Sequence, residues 1–459
     1  MAVLCLVQAV DVLGVTVVVT ALPAMLAGLN APASAATPLA TGYAMFFGGL
    51  LMLGSRLGDR YGHRRIVMTG LVAFGAASLV AATAASVSVL VAARCAQGAA
   101  AGLSVPAALR LVTAAAPDDD RRRRALAAWS ASGAVAGVAG YLVGGLLTDV
   151  AGWPTVFWIN LPLAAVLLGA VRIVVPKHPR EPTVGLDLPG AALLTAAVMA
   201  IVLGASLLEQ PGRASLGLAT LAAAVVLLVG LVAVERRATT PLVPATALRH
   251  PSLRIGVGAA LVNTATTSSV ITLATLYLQQ TRGLTPSTAA LWLLPCSLGV
   301  VAGSALAAPV LRRRGSRAGI VVGLLTVAVG DALLLALPAA EWLLPFAVAV
   351  SGIGLGMSSV GANTLGTAVP DPLQGVASGA LNTAAQLGTA VGVAGLLLLA
   401  SVTDGSTLPV AGTPNGWLAA SALAAVAAVA VARVGQTSAQ ADPDARVDAG
   451  SSTNGIRET

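Results

Sequence analysis

The sequence is poor in charge and in aromatic side chains for a chain of 459 residues. Charged residues make up 10% of it, whereas soluble globular proteins average about 25%. Hydrophobic residues make up 57%, and the mean hydropathy is +0.88, which excludes an ordinary soluble domain. Apolar windows of about 20 residues, long enough to cross a bilayer as a helix, recur along the chain. The composition therefore predicts a polytopic membrane protein.

Cysteine and histidine are also scarce, with three residues of each. Cys5, Cys95 and Cys296 lie inside apolar segments without C-x-x-C or Cys/His spacing, which argues against disulfides and metal sites. The histidines lie apart in arginine-bearing loops, so a membrane enzyme would lack clustered catalytic groups. No Walker motif is present. We therefore expect no cofactor, and a proton gradient as the energy source.

The net charge of +8 comes from arginine, since the chain contains a single lysine, Lys177. The arginines form short clusters between apolar runs rather than a continuous basic domain, so we expect no nucleic-acid partner. These clusters fall in alternate loops, and positive loops stay on the cytoplasmic side. We expect a multi-pass protein of the cell membrane with both termini in the cytoplasm. The clusters are Arg56, Arg60, Arg64 and Arg65; Arg121 to Arg124; Arg172, Lys177 and Arg180; Arg236, Arg237, Arg249 and Arg254; and Arg312 to Arg314 with Arg317.

Fourteen apolar windows reach membrane length. Backbone amides in hydrocarbon must be paired within their own segment or in a closed barrel, so runs of this length are helices. The predicted fold class is an all-α polytopic membrane protein with 14 transmembrane helices. The windows are 3–26, 39–57, 66–86, 88–113, 125–148, 155–175, 188–209, 215–234, 253–278, 286–310, 318–338, 342–368, 374–402 and 416–434.

One loop is repeated within the chain. The segment APVLRRRGSR (308–317) resembles the loop after the second window, with Gly315 in the place of Gly62. If the copies mark equivalent points, the chain consists of two six-helix bundles with two helices inserted between them, a duplicated build usual in secondary transporters. The predicted domains are 1–175, 176–252 for the inserted helices and linkers, 253–434, and a polar disordered tail at 435–459.

The loop GSRLGDRYGHRR (54–65) combines glycines, one acid and several basic residues in a short turn. Its glycines allow a tight turn and close helix approach. Asp59 can pair with an arginine or a helix N-terminus. The alternative is that the basic residues only fix topology.

This loop resembles the signature loop between spans 2 and 3 of the major facilitator superfamily. Leu57, Asp59, Arg60, Gly62 and Arg64 match its pattern. Ser55 replaces the leading glycine of the pattern, and His63 replaces a basic residue. The resemblance implies that the loop acts as a latch, locking the two halves in one state and releasing them in the other.

Two further motifs are similar to those of fourteen-span drug:proton antiporters. Arg94, Gln97 and Gly98 match a span 4 motif whose buried arginine is tied to proton movement. A span 5 glycine motif associated with antiporters is matched by Gly133, Gly137, Gly140, Gly144 and Gly145, with Tyr141 in place of the usual proline. The resemblance, which covers roughly residues 8–434, implies a proton-coupled transporter that exports small amphipathic drug- or antibiotic-like molecules. Such a carrier is not an enzyme, is surrounded by lipid and can work as a monomer.

Two alternatives remain at this point. An uptake symporter or a dedicated single-metabolite carrier can use the same fold, since a fold does not set the direction of transport. A more remote alternative is an integral membrane enzyme.

Three charged residues within the predicted spans are candidates for proton coupling: Asp11, Arg94 and Asp331. A charge near the bilayer centre is costly, so each requires a reason. Asp11 lies one helical turn before Gly14, which occupies the position where the family carries its acid. We expect Asp11 and Arg94 to lie at similar depths, with the long arginine side chain closing the gap between them. The alternatives are a structural ion pair or an interfacial aspartate.

Polar side chains in the second half are candidates for a substrate cavity. Asn263 and Thr267 are spaced i to i+4 and share a helix face. Asn363, Asn382 and Gln386 are the other candidates. The alternative for the serines and threonines of span 9 is bonding to their own backbone and helix packing.

Overall fold

The computed structural model describes residues 1–115, 119–176, 187–208, 212–238, 241, 245–337, 340–402 and 414–440. Within these ranges the regular structure is helical, and no strand occurs. The helices of the first half are α1 (Ala2–Gly28), α2 (Ala36–Tyr61), α3 (His63–Ala82), α4 (Val87–Ala114), α5 (Asp119–Ala151) and α6 (Thr155–Val174, in two pieces). Two helices follow, α7 (Leu188–Leu208) and α8 (Ala214–Arg237).

The second half contains six more long helices. Helix α9 (Pro251–Leu276) continues into a π-helical turn, Tyr277–Thr281. The helical run Pro286–Leu333 is broken at Gly315, which divides it into α10 (286–314) and α11 (316–333). The chain continues with α12 (Leu343–Gly366), α13 (Asp371–Val402) and α14 (Pro414–Gln440). This order matches the fourteen windows predicted from sequence.

Most of these helices could cross a membrane. In the described ranges, ten helical segments have the length and hydropathy of a span, with the run through Gly315 counted once, and α2 adds an eleventh with a 50° bend. Within α5 and α7, the apolar parts Val135–Ala151 and Leu188–Gly204 are shorter. The all-α, polytopic fold class predicted from sequence is confirmed.

Two glycines with positive φ separate consecutive helices. Gly62 (φ 99°) is the one residue between α2 and α3, and Gly315 (φ 80°) is the one non-helical residue between α10 and α11. Other residues rarely adopt this backbone conformation. The repeated loops therefore share one local structure. Both α2 and α3 extend further into the loop than the windows predicted, so the turn is shorter than expected.

The helices pack in three groups. In the first half, α4 contacts α2 and α3, and α5 contacts α1. In the second half, α12 packs against α9 and the α10–α11 run, and α13 packs against α9. Helix α7 contacts α8 as well as α2 and α13, whereas most apolar side chains of α8 are exposed, as expected for contact with lipid. The predicted domain boundaries remain predictions. Helix α14 runs past residue 435, and residues 441–459 of the predicted tail lie outside the described ranges.

The span 5 glycines leave a surface of α5 without side chains, so that a neighbouring helix can approach it closely. A Cβ atom at Gly133 or Gly137 would contact Val12 of α1 at 3.7 Å, and one at Gly144 would lie 2.7 Å from the Val17 carbonyl oxygen. Small residues allow helix backbones to approach closely in lipid, where packing rather than water exclusion drives association. Four of the five motif glycines thus allow α5 to pack closely against α1, whereas Gly145 faces Pro286 and Ser287 of the second half.

The two halves meet along α2 and α13, including Leu53 and Leu57 near the arginine-rich turns, and again at the end opposite those turns. We call the end with those turns the basic end and the other the opposite end. At the opposite end, the Gln279 side-chain amide donates to the Thr20 carbonyl at 2.8 Å, and the Ser287 amide donates to Asp149 at 3.0 Å. Tyr141, which stands where the resemblance places a proline, packs on the second half's hydrophobic core. Helices α2 and α13 also pack together, with Gly48 facing Gln386.

We predict that Gly144→Ala destabilises the protein by about 1–3 kcal/mol, because the added methyl group overpacks the α1–α5 contact. The matched control is Gly169→Ala on α6, where no atom lies within 4 Å of the added Cβ. That control should be as stable as wild type or slightly more so, since alanine favours helix. Thermal unfolding in detergent measures both, and equal melting temperatures would contradict the role of Gly144.

Candidate functional site

Asp11 lies in the core of the first half. Its side chain, on α1, is buried at 7% exposure, and its carboxylate accepts a hydrogen bond from the hydroxyl group of Tyr43 on α2. Tyr43 is itself buried, and its ring packs beside Phe47, one turn further along α2. An ionised carboxylate in a membrane interior requires such a donor.

Arg94 of α4 lies on the other side of the Tyr43 ring. The Arg94 Cζ atom is 4.7 Å from the ring centroid, a cation–π distance. Nη1 of Arg94 donates to the Gly14 carbonyl oxygen at 3.2 Å and to Oε1 of Gln97 at 2.9 Å. In the described chain no carboxylate lies within 4.0 Å of the guanidinium group. The long side chain of Arg94 therefore reaches Gly14, and the link to Asp11 passes through Tyr43.

Gln97 extends this network to a fourth helix. Its Nε2 atom donates to Oγ of Ser78 on α3 at 2.7 Å. Gly98, next in the chain, allows close approach, since a Cβ there would lie 2.8 Å from the carbonyl carbon of Tyr43. The span 4 motif thus places Arg94 against Tyr43. We call Asp11, Tyr43, Arg94, Gln97 and Ser78 the buried network.

Gly14, at the position where the resemblance places an acid, contributes to the network through its backbone. Its carbonyl oxygen accepts from Arg94, and a Cβ atom there would lie 3.4 Å from the ring of Phe74. A larger side chain at this position would therefore meet the Phe74 ring of α3. The acid of α1 stands one turn earlier instead, at Asp11.

Asp331 lies apart from the buried network, within the second half. It is fully buried on α11, and one oxygen accepts a hydrogen bond from Oγ of Ser351 at 2.7 Å. The other oxygen has no partner among the described residues. The proton-coupling candidates therefore occupy two separate places.

The latch residues cluster at the basic end. Oδ1 of Asp59 lies 2.9 Å from Nε2 of His63 and 3.9 Å from Nη2 of Arg110, near the end of α4. A Cβ atom at Gly58 would lie 2.7 Å from Cε1 of His63, so the glycine makes room for the imidazole ring. Asp59 therefore ties α2 to both α3 and α4.

The remaining latch residues make separate contacts. Nη2 of Arg64 donates to the carbonyl of Arg172, where α6 ends, at 2.5 Å. Arg60 lies over the Tyr61 ring, with 5.5 Å between Cζ and the centroid. Leu57 packs in a cluster that contains residues of α13. The basic residues of this turn thus have structural contacts in addition to their positive charge.

The five predicted cavity residues lie at different places. Asn263 is buried on α9 and donates to the Leu355 carbonyl and to Oγ of Ser359, at 3.2 and 3.0 Å. Asn363 and Asn382 are exposed and donate to carbonyl groups of their own helices. Gln386 lies at the contact with Gly48. In the described chain these residues do not form one cluster.

Thr267 differs from its neighbours on α9. The hydroxyl groups of Thr266, Ser269, Thr272 and Thr275 all donate to carbonyls of the same helix, in line with the packing alternative. The buried Thr267 hydroxyl has no partner among the described residues, and neither has Oδ1 of Asn263, one turn earlier. These two oxygen atoms are hydrogen-bond acceptors without a donor.

Sequence reasoning missed Tyr43, Ser78, His63 as a partner of Asp59, and Arg110. A signal existed for Tyr43: the chain has four tyrosines, and a buried tyrosine hydroxyl requires a partner. No local pattern links Ser78 to Gln97 or Arg110 to Asp59, because each pair joins different helices.

We predict that Gln97→Leu destabilises the protein by about 1–3 kcal/mol, because it leaves buried donors of Arg94 and the Ser78 hydroxyl without partners. Ser78→Ala removes one hydrogen bond and should cost less. The double variant should lose less than the sum of the two, since both changes break the same bond. Thermal unfolding in detergent tests this, and additive losses would argue against the Gln97–Ser78 bond.

Comparisons with known proteins agree with this architecture. The sequence pattern described as Major Facilitator Superfamily matches residues 4–393 and again 255–445. The chain is 36% identical over 402 residues to the lincomycin resistance protein of Streptomyces lincolnensis, covering 86% of this chain and 82% of that protein. It is 33% identical over 411 residues to the cephamycin export protein CmcT of Amycolatopsis lactamdurans, covering 85% and 82%.

A solved structure supports the fold. A POT family transporter in complex with a thioalcohol-conjugated peptide matches with a TM-score of 0.71 at 14% identity, covering 95% of this chain and 96% of that one. At this identity the match speaks for the fold alone. Together with the sequence matches, it shows that the chain is a multi-pass membrane protein that belongs to the major facilitator superfamily.

Proposed function

We propose that this protein exports small amphipathic, antibiotic-like molecules in exchange for protons. The proposal rests on the buried network, which places an acid and an arginine inside the membrane-spanning core of this protein. Charges in such a position are costly and mark ion or substrate pathways. Sequence relatives named for antibiotic resistance and export support the class of substrate and the direction.

Asp11 is the proton carrier in this proposal. A proton from outside neutralises the carboxylate, and substrate binding favours the deprotonated form, so that the two compete. Arg94 supplies the positive charge that opposes protonation of Asp11. Proton and substrate therefore exchange without a nucleotide or another cofactor.

The contacts at the two ends provide the alternation of access. We place the basic end in the cytoplasm, with both termini, and the protein in the cell membrane. The bonds from Gln279 to Thr20 and from Ser287 to Asp149 then close the outer side. Asp59 acts as the latch by exchanging its pairings with His63 and Arg110, which both lie in the first half, for a partner on the second half. The carrier works as a monomer, surrounded by lipid.

Asn263 and Thr267 supply polar contacts for the substrate. Their unpartnered oxygen atoms would accept hydrogen bonds from hydroxyl or amino groups of an amphipathic molecule. Buried acceptors without donors are unfavourable, so a bound donor is stabilised there. Asn363, Asn382 and Gln386 remain cavity candidates further along α12 and α13.

The first test is dye transport in everted membrane vesicles with an acidic interior. We expect wild type to accumulate cationic and neutral amphiphiles only while the gradient lasts. Asp11→Asn should abolish gradient-driven accumulation, because the amide cannot carry a proton. Arg94→Ala should reduce it at least tenfold, in line with the cost of removing the partner of a buried charge.

Asp331→Asn is the matched control, a buried acid of the other half. It should transport as wild type does. Transport that survives Asp11→Asn and is lost in Asp331→Asn would move the carrier role to Asp331. Accumulation that requires the opposite gradient would favour an uptake symporter, and no movement of any amphiphile would favour a dedicated carrier for one metabolite.

We further predict that Thr267→Val raises the KM for substrates with hydrogen-bond donors about three- to tenfold, since one hydrogen bond is worth about 1 kcal/mol. Thr266→Val is the matched control, because its hydroxyl donates to the Val262 carbonyl of its own helix at 3.0 Å. Concentration series in the vesicle assay provide the KM. Equal values for the two variants would exclude Thr267 from the site.

A further inference from the structure

Tyr43 stands between the two charged residues of the buried network. Its hydroxyl donates to Asp11, and one face of its ring lies under the Arg94 guanidinium at 4.7 Å. The residue is 1% exposed. A single side chain thus contacts both groups that the proposed function assigns to proton coupling.

No other described side chain links Asp11 to Arg94. Arg94 uses Nη1 for Gly14 and Gln97, and its Nε atom has no partner in the part of the chain that the structure describes. Tyr43 from α2 contacts Asp11 through its hydroxyl group, and Arg94 from α4 lies over the ring of Tyr43, with Cys95 next to Arg94 in the chain. Helix α5 presents glycines to this stretch of α1. The environment of Asp11 is therefore set by its burial, by the Tyr43 hydroxyl group and by Arg94 beyond the ring.

Through its phenol group, Tyr43 allows the charge of Arg94 and the protonation of Asp11 to affect each other. A cation over the ring face is attracted to the π electrons and draws charge from the ring, which strengthens the O–H as a donor. That donor stabilises ionised Asp11. Once Asp11 carries a proton, its carboxyl group no longer requires this donor, and the constraint that holds the ring under Arg94 weakens.

We propose that Tyr43 is the positioning residue that couples protonation of Asp11 to Arg94. This inference rests on the proposed function, with Asp11 as proton carrier. Tyr43 keeps its own proton throughout, so the proton that is exchanged enters and leaves at the Asp11 carboxylate. The Tyr43 hydroxyl group sets the pH at which Asp11 takes up and releases its proton. The Tyr43 ring transmits this change in protonation to Arg94 and thus to α4.

The test compares Tyr43→Phe with Phe47→Leu in purified protein reconstituted into liposomes. The first variant keeps the ring under Arg94 and removes the hydroxyl. The second removes a neighbouring buried ring that contacts neither charge. With a cationic amphiphilic dye that wild type accumulates in the vesicle assay as the probe, we measure for both its Kd, the proton release when it binds, and its transport as a function of pH.

For Tyr43→Phe we expect substrate Kd at alkaline pH within about twofold of wild type, because no predicted substrate contact is lost. The midpoint of the transport pH profile should move to higher pH by about one unit, because ionised Asp11 loses its donor. Phe47→Leu should keep the wild-type midpoint. A Tyr43→Phe profile that coincides with wild type would overturn the proposal for Tyr43.

Asp11→Asn separates this outcome from failure of the proposed function. If Asp11→Asn still releases protons and transports with the gradient, Asp11 is not the proton carrier, and this part of the proposed function fails together with the inference for Tyr43. If Asp11→Asn is inactive while Tyr43→Phe is unchanged, Asp11 remains the carrier and Tyr43 has no coupling role.

Infrared difference spectroscopy on acidification provides a second measurement that does not require Tyr43→Phe to fold. In wild type, a protonated-carboxyl band and a tyrosine band should appear with the same midpoint. In Asp11→Asn the tyrosine band should be absent, and the carboxyl band should lose the contribution of Asp11 while other acids of the chain, Asp331 among them, still contribute. A tyrosine band that persists in Asp11→Asn, or one that never appears in wild type, would contradict the coupling.

Discussion

The structure of the first half depends on holding the Arg94 guanidinium where water is absent. A buried cation requires hydrogen-bond acceptors and compensating charge, or its burial is unfavourable by several kcal/mol. Here the compensation comes from three helices: the Gly14 carbonyl of α1, the Gln97 amide of α4 itself and the ring of Tyr43 on α2. The Gly14 carbonyl and the Tyr43 ring thereby set the positions of α1 and α2 relative to α4.

The glycine positions follow from this constraint. Tyr43 can lie under Arg94 only if the α2 and α4 backbones nearly touch, and Gly98 allows that approach. Helix α1 must lie where the Gly14 carbonyl reaches Arg94 and Asp11 reaches Tyr43. The glycines of α5 allow that helix to pack closely against α1. In this region, close helix packing and the stabilisation of the buried Arg94 charge therefore depend on the same small residues.

Much of the architecture could be predicted from sequence. The long apolar windows predicted the helices, because backbone amides in lipid have to be hydrogen-bonded within their own segment or in a closed barrel. The repeated Arg-rich turn predicted the break at Gly315. The residues Asp11 and Arg94 stood out because charges are rare in such windows. Tyr43 did not stand out, since its role depends on the crossing of α2 between α1 and α4, which no local spacing encodes.

The same reason separates the cavity candidates from one another. Asn263 and Thr267 were predicted from helical periodicity and share a buried face of α9. Asn363 and Asn382 were chosen by residue type alone, and their amides bond to their own helices. Periodicity within one helix predicts neighbours well, whereas the relative rotation of two helices is decided by packing.

The position of α7 has a mechanical consequence. It contacts α2 of the first half through Gly49 and Thr195, and its Val198 and Val202 share a core with α2 and α13. Helix α7 therefore contacts both halves on one side of the bundle and holds them together there. When access alternates between the basic end and the opposite end, this side keeps its contacts, and the helix pairs away from α7 and α8 have to change most.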